Sequence, residues 1–213
     1  MFSKLQYISQ GLTPKEQIGN IQEALDAGCN WIQLRFKNAD DKDFYNVAKS
    51  AKEICSNYRA TFIINDHVEL AKKIDSDGVH LGLEDMPIAD ARHILGPNKI
   101  IGGSANTLND VMLRIGEKCD YIGLGPYRFT KTKEKLSPVI SIEEYKLILD
   151  HISKTNANIP VYAIGGICAE DVDAIIKTGI YGVAISGAIT NSPNKKTLIQ
   201  EFNELLYEKI KDC

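Results

Sequence analysis

Two acids stand out by position. Asp66 follows the apolar run Phe62-Ile63-Ile64 and Asn65, and Asp85 follows Gly78-Val79-His80-Leu81 within a few residues. A short helix-like stretch separates the two runs. If they are parallel strands of one βαβ unit, their carboxyl ends open on the same side of the sheet, and the two acids come close enough to share an ion. Two carboxylates without a Cys or His cluster suit a hard cation such as Mg²⁺, which keeps several waters and also takes phosphate oxygens. The competing reading is structural: Asp66 caps a helix beginning at His67, and Asp85 caps one beginning at Pro87.

Other polar groups fall at the ends of apolar runs. Gln33 and Arg35 alternate with apolar residues in Trp31-Ile32-Gln33-Leu34-Arg35-Phe36, and Lys37 is next in phase. Ser104 ends Ile100-Ile101-Gly102-Gly103. Gly165-Gly166 follow Val161–Ile164, and Ser186-Gly187 follow Gly182–Ile185. Glycines at such ends let backbone N–H groups approach an anion at a helix start. A second anion site combines Arg35, Lys37 and Lys133 with the ion of the two acids. The stretch Thr130-Lys131-Thr132-Lys133 reads either as a charged surface loop or as one that folds over a phosphate. Tyr127, Arg128 and Phe129 stack on a ring or anchor that loop. No Ser-His-Asp or Cys-His set is evident. His80 reads first as a core or pocket-lining residue, His67 as flanking a helix, and His93 and His151 as exposed. Cys168 has no neighbour in sequence to activate it.

The elements that must position these groups recur regularly. Strands are expected at 5–8, 31–36, 62–64, 78–81, 99–104, 121–125, 161–164 and 182–186. Thr13-Pro14 opens a helix that Gly28 ends. Asp40, Asp41 and Asp43 start the next, and further helices follow each strand, the last over 195–211. The segment Pro126 to Pro138 has no hydrophobic period and reads as a long loop. Eight Val/Ile-rich strands alternating with eight helices predict a single (β/α)₈ TIM barrel of the α/β class, one domain over 1–213.

Composition agrees. At 213 residues and 44% hydrophobic, the chain can bury a large core. A net charge of −3 steers it neither to nucleic acid nor to an anionic membrane. No signal peptide or membrane span is apparent. Five cysteines without a CxxC pair read as reduced thiols, which makes a soluble cytoplasmic protein the expectation.

The motifs QLRFK at 33–37, IND at 64–66, DGVHLGLED at 77–85, GGSANT at 102–107, YIGLGP at 121–126, TKTK at 130–133 and AIGGI at 163–167 lie in one order and spacing. In these the chain resembles, over nearly its whole length, the thiamine phosphate synthase (thiamine-phosphate pyrophosphorylase) family, which also includes thiazole tautomerases. The resemblance implies coupling of 4-amino-2-methyl-5-pyrimidinylmethyl diphosphate to a thiazole monophosphate, with release of pyrophosphate. By the same resemblance Arg35, Lys37 and Lys133 hold the diphosphate beside Gln33 and Asn65, and Asp66 and Asp85 bind Mg²⁺. Ser104 contacts the pyrimidine. Thr130, Thr132, Gly166, Ile185 and Ser186 hold the thiazole phosphate. It further implies a dissociative displacement through a carbocation-like species, with a homodimer as an expectation from the resemblance alone. The chain departs from the family pattern at Tyr127-Arg128-Phe129 and in lacking a glycine at 136–141. A thiazole tautomerase, a phosphate-binding sensor or a phosphosugar isomerase are the alternatives. A tautomerase does not need Asp66, Asp85 and Lys133 together, an isomerase does not need the paired aspartates, and a sensor predicts ligand binding without turnover.

Overall fold

The computed structural model of the chain describes residues 2–129 and 138–207. The strands are β1 (Leu5–Ile8), β2 (Trp31–Leu34), β3 (Thr61–Asn65), β4 (Gly78–Leu81), β5 (Ile100–Ala105), β6 (Tyr121–Leu124), β7 (Val161–Ile164) and β8 (Gly182–Ile185). They pair in parallel in sequence order and close through β1 and β8, as Gln6 opposite Ala184 illustrates. The (β/α)₈ barrel expected from the strand pattern is therefore the fold.

Helices fall where their end signals lie. Thr13 caps α1 (Pro14–Asp26) in a box with Glu16, and Asp40 caps α2 (Asp41–Asn57) through the Asp43 N–H at 2.7 Å. Then come α3 (Val68–Lys73), α4 (Ile88–Leu95), α5 (Leu108–Gly116) and α6 (Ile142–Ser153), the last capped by Ser141. The helix expected from Glu170 to Lys177 is a 3₁₀ turn, Ala169–Asp171, running into α7 (Val172–Ile176). An additional helix, α8 (Gly187–Thr190), stands between β8 and α9 (Lys195–Tyr207). At four residues it is too short to leave a period in the sequence.

Along each strand one set of side chains faces the helices and the other faces the barrel axis. Ile32, Leu34, Phe62, Ile64, Val79 and Ile101 belong to the large outer core. Trp31, Ile63, Tyr121 and Tyr162 form a separate interior cluster, with Phe2 stacked on Trp31 at 5.1 Å. The aromatic rings meet edge to face, Trp31 with Tyr162 at 5.2 Å and Tyr121 with Tyr162 at 5.6 Å. They plug the amino-terminal half of the barrel. Small residues on neighbouring strands make the room: a Cβ on Gly102 would clash with the hydroxyl end of the Tyr121 ring at Cζ, and one on Gly182 would strike both Tyr162 and the Lys4 carbonyl.

Gly102→Ala therefore overfills this layer. The expected cost is about 1–3 kcal/mol, seen as a lower urea midpoint with unchanged slope. An unshifted midpoint would mean that the ring has room to move.

Candidate functional site

Above the aromatic plug, the barrel opens into a cavity of about 500 Å³ at the carboxyl ends of the strands. Gln33, Arg35, Asn65, Ser104, Gly166, Ile185 and Ser186 all line it. These residues are separated by up to 153 positions in sequence, and closure of the sheet brings them onto one surface.

β2 ends earlier than its alternation suggests. The expected strand over 31–36 stops at Leu34, because the Arg35 N–H leaves the ladder and donates to Ser9 Oγ at 3.0 Å. Gln33 is buried and donates from Nε2 to Asn65 Oδ1 at 2.7 Å. Its Oε1 is also buried and has no partner among the described residues, which leaves an acceptor for a ligand N–H. Arg35 is half-buried, and burial pulls its pKa down while Asp66 raises it. Lys37 is exposed and does not line the cavity, but its charge acts on Asp66.

Neither acid is a helix cap. α3 begins at Val68, after Asp66, and α4 at Ile88; the residues in their cap positions, His67 and Pro87, make no side-chain cap bond. Asp66 has a left-handed backbone, φ 66°, and its N–H donates to the His80 carbonyl at 2.9 Å. That bond ties the end of β3 to the end of β4, and the carboxyls of Asp66 and Asp85 are in hydrogen-bond contact. Asp85 also accepts from the Gly82 N–H at 2.6 Å. Asp66 is exposed as a residue, yet desolvation of its carboxyl, then the hydrogen bond and charge of Asp85, push its pKa up to about 7. Arg35 and Lys37 oppose the rise. Two acids held together repel each other when both are ionised, a repulsion that a bound cation would relieve. Among the described residues no group of three His, Cys, Asp or Glu gathers for a metal, so this chain supplies two carboxylates. That donor set fits Mg²⁺, whose remaining positions go to water and phosphate.

His80, weighed above chiefly as a core residue, is both buried and part of the site. Its Nδ1 lies 3.0 Å from the Tyr121 hydroxyl and its Nε2 3.0 Å from Ser104 Oγ. Tyr121 is wholly buried and receives Gln6 Nε2 at 3.2 Å, so its phenolic hydrogen goes to His80 Nδ1. This network assigns the imidazole hydrogen to Nε2. Ser104 then accepts from His80 and keeps its own hydrogen for a ligand. Arg114, also buried, bonds the carbonyls of Ser104 (3.1 Å) and Gly82 (2.8 Å), which fixes the ends of β5 and β4 relative to each other.

At the far side of the cavity, Gly165 and Gly166 have φ of 99° and 68°, a left-handed turn that favours glycine. The unexpected helix α8 begins beside it. Ser186 Oγ donates to the Ile8 carbonyl at 2.6 Å, so its hydroxyl hydrogen is already engaged by the barrel. Burial pushes the thiols of Cys29, Cys55 and Cys119 up to about 11, 12 and 12, and burial with nearby carboxylates raises Cys168. These thiols stay protonated and are poor nucleophiles. Thr130, Thr132 and Lys133 lie outside the described residues. Asn106 and Gln10 also line the cavity and were missed. Both follow strand ends, and that rule would have found them.

In the metal-free protein the Asp66 carboxyl should titrate near 7 by carbon-detected NMR, and in Asp85→Asn it should fall toward the usual carboxylate range. A raised folded-state pKa means that the native chain holds a proton the unfolded chain has lost. Metal-free stability should therefore fall as pH rises from the usual carboxylate range to about 7. Titration of Asp66 as an ordinary acid would contradict the pairing.

The site can now be set beside known proteins. A family model described as thiamine monophosphate synthase matches residues 7–189. A thiamine-phosphate synthase of Flavobacterium psychrophilum is 57% identical over 206 residues, 97% of this chain and 100% of that protein. One from Flavobacterium johnsoniae is 54% identical over 210 residues, 99% of each. Among solved structures, a thiamine phosphate pyrophosphorylase from Pyrococcus furiosus superposes with a TM-score of 0.84 at 33% identity, covering 96% of both chains. A 3-hexulose-6-phosphate synthase from Salmonella typhimurium, TM-score 0.71 at 16% identity over 97% and 99% of the two chains, shares the fold alone. By its strand-end motifs, its barrel and its matched length, the chain belongs to the thiamine monophosphate synthase family.

Proposed function

We propose that this chain is a thiamine-phosphate synthase, one catalytic domain over 1–213, that joins a pyrimidinylmethyl diphosphate to a thiazole monophosphate and releases pyrophosphate. The observation that carries the reading is the contact between Asp66 and Asp85 near Arg35, which itself lines a cavity whose opposite wall is the Gly165–Gly166 turn; the two acids do not line that cavity. One side is built for an ion and a diphosphate, the other for a monophosphate.

The residues divide the work. Arg35, Lys37 and Lys133 bind the diphosphate, Arg35 through its fork and the lysines as point charges. Asp66 and Asp85 would hold Mg²⁺, which when bound supplies positive charge to the departing diphosphate. Gln33 Oε1 accepts from the pyrimidine amine, and Ser104 donates to a ring nitrogen. Both are held in one orientation by Asn65 and His80. Thr130, Thr132, Gly166, Ile185 and Ser186 hold the thiazole phosphate. Ser186 contributes its backbone N–H alone, since its hydroxyl hydrogen is committed to the Ile8 carbonyl.

The bond to the leaving diphosphate breaks as the amine pushes electrons toward the methylene carbon. The thiazole nitrogen then forms the new C–N bond. The cationic carbon must meet no other nucleophile. Apolar walls from Ile8, Ile164, Ile167 and Ile185 limit water around it, and burial with nearby carboxylates raises the Cys168 thiol that lines the same cavity. Among the described residues no helix is long and apolar enough to cross a membrane.

A single-turnover assay with both substrates, with and without Mg²⁺, tests the reading. Equal yields of pyrophosphate and thiamine phosphate that require Mg²⁺ are expected, and Asp66→Ala should slow coupling by on the order of 100-fold or more. Coupling that ignores Mg²⁺, or an Asp66→Ala enzyme at wild-type rate, would remove the acidic pair from the mechanism. Tight binding of thiazole phosphate without any coupling would point to a tautomerase or a binding protein.

A further inference from the structure

The turn after β7 is shaped from outside the cavity. Three successive carbonyls point at one short segment: Ile164 accepts from the Tyr127 N–H at 2.9 Å, Gly165 from the Arg128 N–H at 2.9 Å, and Gly166 from Arg128 Nη1 at 3.0 Å. In a planar trans peptide the N–H lies opposite the C=O. Carbonyls of Gly165 and Gly166 drawn toward Arg128 therefore turn the N–H groups of Gly166 and Ile167 the other way, toward the cavity that these residues line. The fit is close. A Cβ on Gly166 would strike Arg128 Cβ, and one on Gly165 would strike Pro126.

Arg128 is itself held. Its guanidinium meets both oxygens of Asp171, with Nη2 to Oδ1 at 2.6 Å, a bidentate pair of fixed geometry. Asp171 is buried and also accepts the Cys168 N–H at 2.8 Å. Burial alone would raise this carboxyl, but Arg128 and the Cys168 N–H hold it below the usual range, so it stays ionised. One ion pair thus fastens the turn at Gly166 and at Cys168, the two sides of Ile167. Neither Arg128 nor Asp171 lines the cavity.

We propose that the Arg128–Asp171 pair is a positioning device for the phosphate of the thiazole substrate. It aims the Gly166 and Ile167 N–H groups at that phosphate without touching it, and so sets the affinity for one substrate of the two. The proposal rests on the synthase reading for the identity of the phosphate, and a binding measurement separates the two claims.

Arg128→Met keeps much of the side-chain stem and removes the fork. Its KM for the thiazole monophosphate should rise about tenfold, the loss of one charge-assisted hydrogen bond's worth of alignment. Its KM for the pyrimidine diphosphate should stay within about twofold, and kcat should change less than the thiazole KM. Arg128→Lys should not restore the affinity, because a single, shorter-reaching ammonium lacks the two-nitrogen fork that meets both Asp171 oxygens and the Gly166 carbonyl together. With Asp171→Asn added, Arg128→Met should be no worse than the poorer single variant. If Asp171→Asn does not fold, the Arg128 variants carry the test alone. Calorimetry with thiazole monophosphate should show the same tenfold loss without turnover, so a wild type that binds but never couples would sink the synthase reading and leave this one standing. Unchanged thiazole affinity in Arg128→Met overturns the proposal. So does full rescue by Lys, or an equal rise of both KM values with a lower melting temperature.

Discussion

An eight-stranded parallel barrel has an interior just wide enough for the side chains that point into it. Every feature of the site follows from how that narrow space is shared. Trp31, Tyr121 and Tyr162 fill the lower half only because Gly102 and Gly182 give up their side-chain volume to neighbouring strands. In the next layer up the same alternation continues with Gln33, Asn65, His80 and Ser104, and Gly123 leaves space for the His80 ring. The plug decides where the cavity starts. It also anchors the polar layer above it, since the Tyr121 hydroxyl belongs to the aromatic cluster at one end of the ring and to the His80 network at the other. Packing and chemistry share a side chain.

Above that layer the balance changes from packing to charge. Asp66 and Asp85 sit together at a cost that nothing in the fold requires, since neither caps a helix. Arg35 and Lys37 reduce the cost but do not cancel it, as the raised Asp66 carboxyl records. Local repulsion of this kind is common where a site is arranged for a partner that the free protein lacks. The fold tolerates it because the backbone bond from Asp66 to His80 and the Arg114 bridge between Gly82 and Ser104 hold the loop ends regardless of the charges.

Much of this was legible in the sequence, for a physical reason. Strands buried on both faces read as apolar runs, helices announce themselves through Thr13, Asp40 and Ser141, and the barrel rule then places function at the strand ends. Gln33, Asn65, Ser104 and Gly166 converge as that rule requires. What escaped depended on contacts that no local pattern encodes. The end of β2 at Leu34 is set by the next N–H, that of Arg35, which donates to a hydroxyl 26 residues earlier, Ser9. α8 is a single turn, below the length at which periodicity can speak. Nothing near His80 in sequence separates it from a core histidine; Tyr121, 41 residues on, does so by donating its hydroxyl to the imidazole. Arg128 read equally as a stacking or an anchoring residue, and only Asp171, 43 residues away, decides for anchoring.

The two phosphate positions, on the proposed reading, differ in construction because they face different tasks. The monophosphate is carried through the reaction unchanged in charge. Fixed backbone N–H groups suit it, since they need no reorganisation and bring no mobile ion near a cationic carbon. The diphosphate must gain charge as its bond breaks and then depart. It is met by Arg35, Lys37 and an acidic pair able to take a divalent ion, all with some exposure to solvent and thus able to release what they bind. The wall that must not change is therefore pinned from behind by the bidentate pair of Arg128 with the buried Asp171, and the wall that must let go carries two acids in contact, with the Asp66 carboxyl raised. The same barrel end supplies both because β3 and β4 lie across the axis from β7 and β8. That separation keeps the charge that leaves away from the charge that stays.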